Sequence, residues 1–232
     1  MDVMIQWTYK SIKKQEAVFT SDFLPAEKAL ILADDIEKTG RVKQLMFIDK
    51  HDVSWSKKEL KKLLAELETE PHDIIVYFDG GFDQTSFAAG VGAAIYYKQN
   101  NKSFRLRANG RLEELESNNE AEYAALWFAV QKLEELGVHH LPVTFRGDSH
   151  VVVNQLAGEW PCYEDSLNAW LDRIEAKLTS MKITPILQPI TRKANKEADK
   201  LASQALEGTF INSIFELNEK GSKFIDESKE EK

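Results

Sequence analysis

Hydrophobic positions near the beginning of the chain fall in short stretches separated by polar turns. The stretches Met4–Lys10, Ala17–Thr20 and Gln44–Ile48 predict three strands. Between the second and the third, a helix is predicted to begin at Pro25, which suits a first helical turn. It is predicted to end at Gly40, which suits the position after the last turn. This part of the chain is therefore expected to mix strands with helices.

A second helix is predicted where Ser56 and Glu59 stand three residues apart, which is the spacing of a capping box. A polar segment around Pro71 separates this helix from a strongly apolar stretch. We expect residues 1–70 to form a small α+β domain, distinct from the rest of the chain. The apolar residues on one face of the helix are Leu60, Leu63, Leu64 and Leu67.

Beyond this segment the hydrophobic positions become denser. The stretch Ile74–Asp79 is apolar on both faces, as in a strand buried at the centre of a sheet. The stretches Gly90–Tyr97 and Ser103–Ala108 are predicted to form a hairpin through Asn100–Asn101. A long helix with an apolar face is predicted over Ser117–Leu136.

The remaining elements alternate strands with helices. A strand over Ile183–Ile190 contains Pro185 and Pro189, which suits only a sheet edge, because proline has no amide hydrogen to donate. A meander followed by crossover connections predicts an α/β domain with a mixed sheet over residues 73–206. The other predicted elements are a strand over Val143–Gly147 and helices over Ser149–Leu156, Ser166–Leu178 and Asn195–Leu206.

Residues 207–232 are predicted to form a C-terminal tail. The tail begins with an apolar patch, which we expect to dock on the protein. It ends in a charged run from Asp226 to Lys232, which we expect to be disordered. The apolar residues of the patch are Phe210, Ile211, Ile214, Phe215 and Leu217.

The amino-acid composition indicates the cellular compartment and the partners to be expected. The chain of 232 residues has one cysteine, Cys162, which excludes an internal disulfide framework and fits a reducing compartment. No apolar run approaches the ~20 residues that span a bilayer, and the N-terminus lacks the pattern of a signal peptide. We therefore expect a cytoplasmic protein with no membrane partner. The net charge of -8 argues mildly against a nucleic-acid partner, because such proteins usually neutralise phosphates with basic side chains.

Four acidic residues stand where acids are unusual. Asp79 and Asp148 follow the apolar residues of predicted strands. Glu122 lies on the apolar face of the long helix, and Asp199 lies at the margin of the apolar stripe of the last helix. A carboxylate buried without a partner is costly, so it is usually neutralised, paired or bound to a metal. Oxygen ligands without His or Cys favour Mg²⁺ or Mn²⁺, and two such ions suit phosphodiester hydrolysis.

Three of these acids also have a purely structural interpretation. Asp79 precedes two glycines and fits an ordinary turn, and Asp148 fits a helix N-cap. Asp199 fits the first turn of a helix, where the macrodipole favours an acid. Glu122 is the hardest to explain in this way. Taken together, the four positions favour the metal site.

The four acids lie within four short pieces of sequence: Tyr77-Phe78-Asp79-Gly80-Gly81, Asn118-Asn119-Glu120-Ala121-Glu122-Tyr123, Gly147-Asp148-Ser149 and Asn195-Lys196-Glu197-Ala198-Asp199-Lys200-Leu201-Ala202. In this order and spacing they resemble the type 1 ribonuclease H (ribonuclease HI) family over residues 73–206. The resemblance implies a ribonuclease H-like five-stranded mixed sheet flanked by helices, preceded here by the α+β domain. It also implies that the first strand of the sheet pairs in parallel with the strand ending at Asp148.

The resemblance further implies a metal-dependent endoribonuclease. Its substrate would be the RNA strand of RNA–DNA hybrids, and its products would carry 5′-phosphate and 3′-hydroxyl ends. The catalytic residues, which would bind two Mg²⁺ ions or Mn²⁺ in their place, are Asp79, Glu122, Asp148 and Asp199. The residues expected to contact the hybrid are Gly80, Gly81, Thr85, Asn118, Arg192 and Lys193.

Three departures from the family pattern leave other interpretations open. The loop after the first acid is Phe82–Phe87 instead of Gly-Asn-Pro-Gly, so Gln84 or Thr85 would have to supply a minor-groove contact. An acidic segment, 158–165, replaces a basic protrusion. The His-bearing loop is shortened to Thr191–Ala194, whose Arg and Lys are poor proton shuttles near neutral pH. The alternative is a catalytically weak or inactive ribonuclease H-like nucleic-acid-binding protein, and a third candidate is a nuclease acting on duplex RNA.

The N-terminal domain has a candidate surface of its own. Four lysines lie in the first turns of its second helix, just after Trp55, where basic residues oppose the helix macrodipole. This arrangement is compatible with binding of nucleic acid or of a protein, and the simpler interpretation is a solvated helix face. The lysines are Lys57, Lys58, Lys61 and Lys62.

Overall fold

The computed structural model describes residues 1–217, and the chain divides into two compact units, Met1–Thr69 and Glu70–Lys232. Each unit has its own hydrophobic core. Within residues 1–217, no helix is both long enough and apolar enough to cross a membrane. The charged run 226–232, for which disorder is predicted, lies outside the described residues.

The first unit is an antiparallel sheet that packs against two helices. Its predicted strands and helices are all present. Val3 and Ile5 on the first strand alternate with more exposed residues and join Phe47 and Leu60 in the core. The strands are β1 (Asp2–Lys10), β2 (Glu16–Thr20), β3 (Leu24–Pro25), β4 (Val42–Asp49) and β5 (Ser54–Trp55), and the helices are α1 (Ala26–Lys38) and α2 (Lys57–Thr69).

The local signals that predicted the end of α1 and the start of α2 are found in the structure, whereas Pro25 is the N-cap residue of α1 and lies just before its first turn. Gly40 follows α1 with a φ of 67°, in the left-handed region that glycine tolerates. Ser56 Oγ accepts a hydrogen bond from Glu59 N at 3.2 Å, and Ser56 N donates to Glu59 Oε2 at 2.8 Å. The predicted capping box is therefore confirmed. The strands β3 and β5 are not predicted, because two residues carry no periodic pattern.

The second unit is a mixed sheet with helices on both faces. Its strands are β6 (His72–Asp83), β7 (Ala88–Gln99), β8 (Lys102–Glu113), β9 (Pro142–Gly147), β10 (Thr184–Pro189) and β11 (Asn212–Glu216). Its helices are α3 (Asn118–Glu135), α4 (His150–Leu156), α5 (Asp165–Ser180) and α6 (Lys196–Leu206). The strand order is β10-β9-β6-β7-β8-β11, and β6 pairs in parallel with β9. The large core lies between the sheet and α3, α4 and α5, whereas α6 packs on the opposite face.

The predicted hairpin and edge strand are both confirmed. Strands β7 and β8 are joined through Asn100 and Asn101, whose φ angles of 52° and 61° are those of a turn with two left-handed residues. Strand β10, which carries Pro185 and Pro189, lies at one edge of the sheet. At the edge of the sheet, the missing amide hydrogens of the prolines do not interrupt the hydrogen bonds between two interior strands.

Within the described residues the sheet has six strands, one more than expected, because the apolar patch of the tail docks as β11 along β8. The buried side chain of Asn109 fixes this segment. Its Nδ2 donates to the backbone oxygens of Leu201 at 2.8 Å and Thr209 at 2.9 Å. Its Oδ1 accepts from Ile211 N at 2.7 Å. One amide thus joins β8, α6 and the beginning of the tail.

Replacing Asn109 with alanine is expected to lower the free energy of unfolding by about 3 kcal/mol, because buried backbone groups lose their partners. Denaturant unfolding of the full chain measures the loss, and hydrogen exchange should localise it to β11. Asn168→Ala is the matched control, since Asn168 is exposed on α5. That change should stay within about 0.5 kcal/mol of the wild type. An equal effect of the two variants would contradict the anchoring role.

Candidate active site

The first two predicted acids are brought together by the parallel pairing of β6 and β9. This pairing ends at Tyr77 opposite Arg146, so Asp79 and Asp148 extend just past the last paired residues. The prediction that the first strand ends at Asp79 is wrong, since β6 continues to Asp83. Asp79 therefore lies inside a strand, opposite Gly92 of β7, and its interpretation as an ordinary turn residue is excluded.

Glu122 reaches the same place from α3. This helix begins after Ser117, whose side chain accepts a hydrogen bond from Glu120 N at 3.1 Å. The helix lies directly on β6, because a Cβ on Gly80 would be only 2.2 Å from Ala121 O. Because Gly80 has no Cβ, α3 can approach β6 closely enough to place Glu122 beside Asp79.

Three of the four predicted ligands form one cluster. Each of Asp79, Glu122 and Asp148 offers a carboxylate oxygen, and these oxygens all lie within 4.8 Å of one another. Asp79 and Glu122 are only 7% and 8% exposed. Glu122 Oε2 is buried and has no hydrogen-bond partner among the described residues.

The cluster raises the pKa of two of its members. Burial, followed by the negative charge of Asp148, raises the pKa of Asp79 from 3.8 to about 7. Burial, followed by the charge of Asp79, raises the pKa of Glu122 from 4.5 to about 8. Both shifts have the same cause, since desolvation and neighbouring like charges each disfavour the ionised form.

A divalent cation fits this cluster. An unpartnered, buried carboxylate oxygen and neighbouring carboxylates that repel one another are the features that a bound cation would satisfy. The ligands are all oxygens, which is the chemistry of hard cations. Asp79, Glu122 and Asp148 are therefore the residues that would hold it.

Asp199, the fourth predicted ligand, lies outside this cluster. Its Oδ1 accepts a hydrogen bond from Arg192 Nη2 at 3.0 Å. It still acts on the cluster electrostatically, because its charge contributes to the raised pKa of Asp79. The positive charge of Arg192 partly offsets the rise in the pKa of Asp79 and of Glu122, so it also acts on this site.

The structure resolves the alternative for Asp148. The N-cap of α4 is Ser149, whose side chain accepts from Val152 N at 3.5 Å. The interpretation of Asp148 as the helix cap is therefore wrong, and its carboxylate is available to the cluster.

Asn195 is a member of the site to which the sequence assigned no role. Its side chain is 1% exposed, and its Nδ2 lies 3.1 Å from Asp79 Oδ1 and 2.8 Å from Asp148 Oδ1. The same atom lies 2.9 Å from Phe78 O. In the sequence, the position of Asn195 at the start of α6 was the one feature that could have drawn attention to it. An asparagine at that position is ordinarily interpreted as a helix cap.

The residues expected to contact substrate differ in their exposure. Gly80 is buried beneath α3, and Gly81 is half-buried. Thr85 lies in the turn between β6 and β7, where its amide donates to Asp83 Oδ1 at 3.0 Å. The exposed members of the set are Thr85, Asn118, Arg192 and Lys193.

The contacts of the first unit favour a solvated face for its lysine-rich helix. Lys57 forms ion pairs with Asp34 and Glu37 of α1. Lys62 lies 3.6 Å from Glu66 in its own helix. Half of the proposed basic cluster is therefore already paired with carboxylates of the same unit.

Comparisons with known proteins identify the family of the chain. Residues 77–205, more than half of the chain, match the model of the family described as reverse transcriptase-like. The chain is 47% identical over 203 residues to the uncharacterized protein YpeP of Bacillus subtilis, covering 88% of this chain and 89% of YpeP. It is 34% identical over 91 residues to ribonuclease HI of Halobacterium salinarum, covering 39% of this chain and 44% of that relative.

Solved structures of RNase H1 proteins superimpose on the second unit. The crystal structure of RNase H1 from the halophilic archaeon Halobacterium salinarum superimposes with a TM-score of 0.50 at 27% identity, covering 58% of this chain and 98% of that one. LC11-RNase H1 in complex with an RNA/DNA hybrid superimposes with a TM-score of 0.51 at 27% identity, covering 58% and 97%. The mixed sheet flanked by helices is thus a ribonuclease H-like fold, and the chain belongs to the reverse transcriptase-like family of ribonuclease H-like proteins.

Proposed function

We propose that the protein is a metal-dependent endoribonuclease that hydrolyses the RNA strand of RNA–DNA hybrids. The observation that carries this proposal is the buried cluster of Asp79, Glu122 and Asp148, with carboxylate oxygens within 4.8 Å of one another. Two of the three acids have pKa values raised to about 7 and about 8, as expected of a site built to receive cations. The similarity to RNase H1, including a structure with a bound RNA/DNA hybrid, supports the choice of substrate.

The reaction is an in-line hydrolysis of a phosphodiester. The oxygen of water becomes bonded to phosphorus, the bond from phosphorus to the 3′-oxygen breaks, and the products carry a 5′-phosphate and a 3′-hydroxyl. Two Mg²⁺ ions, or Mn²⁺, would activate the water and stabilise the departing oxygen. Asp79, Glu122 and Asp148 would hold these ions. Asp199 would supply a further carboxylate if its side chain turned away from Arg192.

Arg192 is proposed to bind a substrate phosphate. Its side chain is 81% exposed, and an ion pair so exposed contributes little to stability. The guanidinium is therefore free to exchange Asp199 for a phosphate, for which its planar donors are well suited. This exchange would release the fourth carboxylate when substrate arrives. Lys193, also exposed, adds positive charge on the same turn.

The sugar and base contacts are assigned to the exposed rim. Asn118 is the first residue of α3, so it stands one turn before Glu122 and faces solvent. Thr85 is held in its turn by Asp83 and is likewise exposed. Ribose 2′-hydroxyls are the groups that distinguish an RNA strand from DNA, and short polar side chains can hydrogen-bond to them.

The direct test is to incubate the full chain with an end-labelled RNA–DNA hybrid and either Mg²⁺ or Mn²⁺. We expect cuts at internal positions of the RNA strand, products with 5′-phosphates, and no cutting in the presence of a chelator. Duplex RNA and duplex DNA of the same sequence are the control substrates. No cleavage with either metal would overturn the proposal.

The same experiment separates the alternatives. A hybrid that is bound but not cut would support a catalytically weak or inactive nucleic-acid-binding protein. The shortened turn Thr191–Ala194 is the observation in favour of that outcome, because the turn supplies Arg and Lys and no proton shuttle. Equal cleavage of duplex RNA would instead favour a nuclease of broader substrate choice.

A further inference from the structure

We propose that Asn195 is a positioning residue that holds Asp79 and Asp148 in the arrangement that receives the cation. This inference rests on the metal-binding part of the proposed function. The uncharged side chain of Asn195 would join the carboxylate of Asp79, inside β6, to that of Asp148, just after β9. Asn195 is distinct from the four predicted ligands, and it contacts two of them directly.

The geometry places one nitrogen between two acids. Nδ2 of Asn195 lies 2.8 Å from Asp148 Oδ1 and 3.1 Å from Asp79 Oδ1, and both are hydrogen-bond distances. A third acceptor, Phe78 O, lies at 2.9 Å and ties the amide to the backbone of β6. An amide nitrogen has two hydrogens, so these acceptors share them. The shared donor draws together two carboxylates that would otherwise repel each other.

The surroundings determine the orientation of the amide. If the group were reversed, its oxygen would face three oxygens, from Phe78, Asp79 and Asp148, with no hydrogen between them. In the observed orientation Asn195 Oδ1 is buried and has no partner among the described residues. An unpartnered buried oxygen costs stability, whereas the two hydrogens of the amide nitrogen are shared by the two acids and Phe78 O.

Because the side chain of Asn195 is directed at the acids, α6 lacks a side-chain cap. Asn195 stands at the N-cap of α6, where its side chain would ordinarily accept from a free amide of the first turn, yet it makes no such hydrogen bond. A missing cap lowers the stability of a helix. Its backbone oxygen still accepts from Asp199 N at 3.1 Å, so the same residue begins the helix turn that carries Asp199. Asn195 therefore couples the start of α6 to Phe78 and Asp79 within β6 and to Asp148 just after β9.

Metal binding tests this role without relying on cleavage. Isothermal titration of the full chain with Mn²⁺ gives the affinity of the wild type, of Asn195→Ala and of Asn195→Ser. We expect each variant to bind Mn²⁺ about 10–100-fold more weakly, as is typical when a group that supports a metal ligand is lost. Serine can restore the cap of α6, so Asn195→Ser should unfold at a higher temperature than Asn195→Ala and yet show the same loss of affinity.

Asn109→Ala is the matched control, because it removes another buried asparagine whose amide bonds to α6 and the tail but not to the acids. It should lower the unfolding temperature and leave the Mn²⁺ affinity unchanged. An unchanged affinity in both Asn195 variants would overturn the positioning role, as would a wild type that does not bind Mn²⁺. A wild type that binds Mn²⁺ but cuts no hybrid, with weaker binding in both Asn195 variants, would refute the endonuclease and leave this inference standing.

Discussion

An Asp79→Asn variant is expected to lose hybrid cleavage by more than about 100-fold, beyond the loss typical of groups that only support a metal ligand. It is also expected to be more stable than the wild type when no metal is present, by on the order of 2 kcal/mol at pH 8. Both effects follow from one cause. The charge of Asp79 is unfavourable beside Asp148 in a buried site, and the same charge is what attracts a cation.

Cleavage rates on a labelled hybrid and denaturant unfolding in a chelating buffer measure the two effects. Asp172→Asn is the control, since Asp172 is an exposed carboxylate on α5 outside the cluster. It should change neither quantity appreciably. Retained cleavage in Asp79→Asn would show that the cluster is not the catalytic site. A loss of stability would show that the hydrogen bond from Asn195 to the carboxylate outweighs its repulsion from Asp148.

The second large effect is a pH-dependent loss of stability in the metal-free protein. Asp79 and Glu122 have ordinary pKa values of 3.8 and 4.5, and in the folded chain these rise to about 7 and about 8. Between these limits the folded chain keeps protons that the unfolded chain has released, so stability falls as pH rises. It should be highest near pH 4 to 5, decline up to about pH 8, and then level off. We expect the unfolding temperature of the second unit to fall by on the order of 5–10 °C across this window.

Added Mg²⁺ should reverse this trend, because a cation binds the ionised cluster and stabilises only the folded state. The gain in unfolding temperature on adding Mg²⁺ should therefore grow from pH 5.5 to pH 8.5. A double variant, Asp79→Asn with Glu122→Gln, isolates the effect from other titrating groups, and its unfolding temperature should depend little on pH or on Mg²⁺. Parallel curves for wild type and double variant would contradict the pKa assignments.

Much of the fold could be predicted because the hydrophobic pattern and the local signals agree. The capping box at Ser56, the hairpin at Asn100–Asn101 and the proline-bearing edge strand β10 are all present as predicted. The extent of β6 was not predicted, because paired glycines usually indicate a turn. In the structure, Gly80 permits the approach of α3, which is a tertiary contact that no local pattern contains.

The acidic residues of the candidate site could be predicted from the sequence, but the hydrogen bonds that join them to other side chains could not. Glu122 was identified because an acid on an apolar helix face needs an explanation, and it lies in the cluster. Asp199 was grouped with the other acids, yet its contact with Arg192 sets it apart in this structure. The sequence assigned no role to Asn195, because an asparagine at the start of a helix usually needs no further explanation. Its true partners lie 47 and 116 residues away in sequence, so only the folded chain reveals them.

The docking of β11 also affects how the protein avoids self-association. Without this strand, β8 would present a long row of free amide and carbonyl groups at the edge of the sheet, which is a template for pairing with another chain. The segment Asn212–Glu216 pairs with five of the twelve residues of β8, and the ion pair between Lys102 and Glu216 places charge at the end of the paired stretch. A second unit that keeps this part of the edge covered therefore extends to Glu216, beyond the family match that ends at residue 205. A chain shortened to that match would expose an aggregation-prone edge that the intact protein covers with its own sequence.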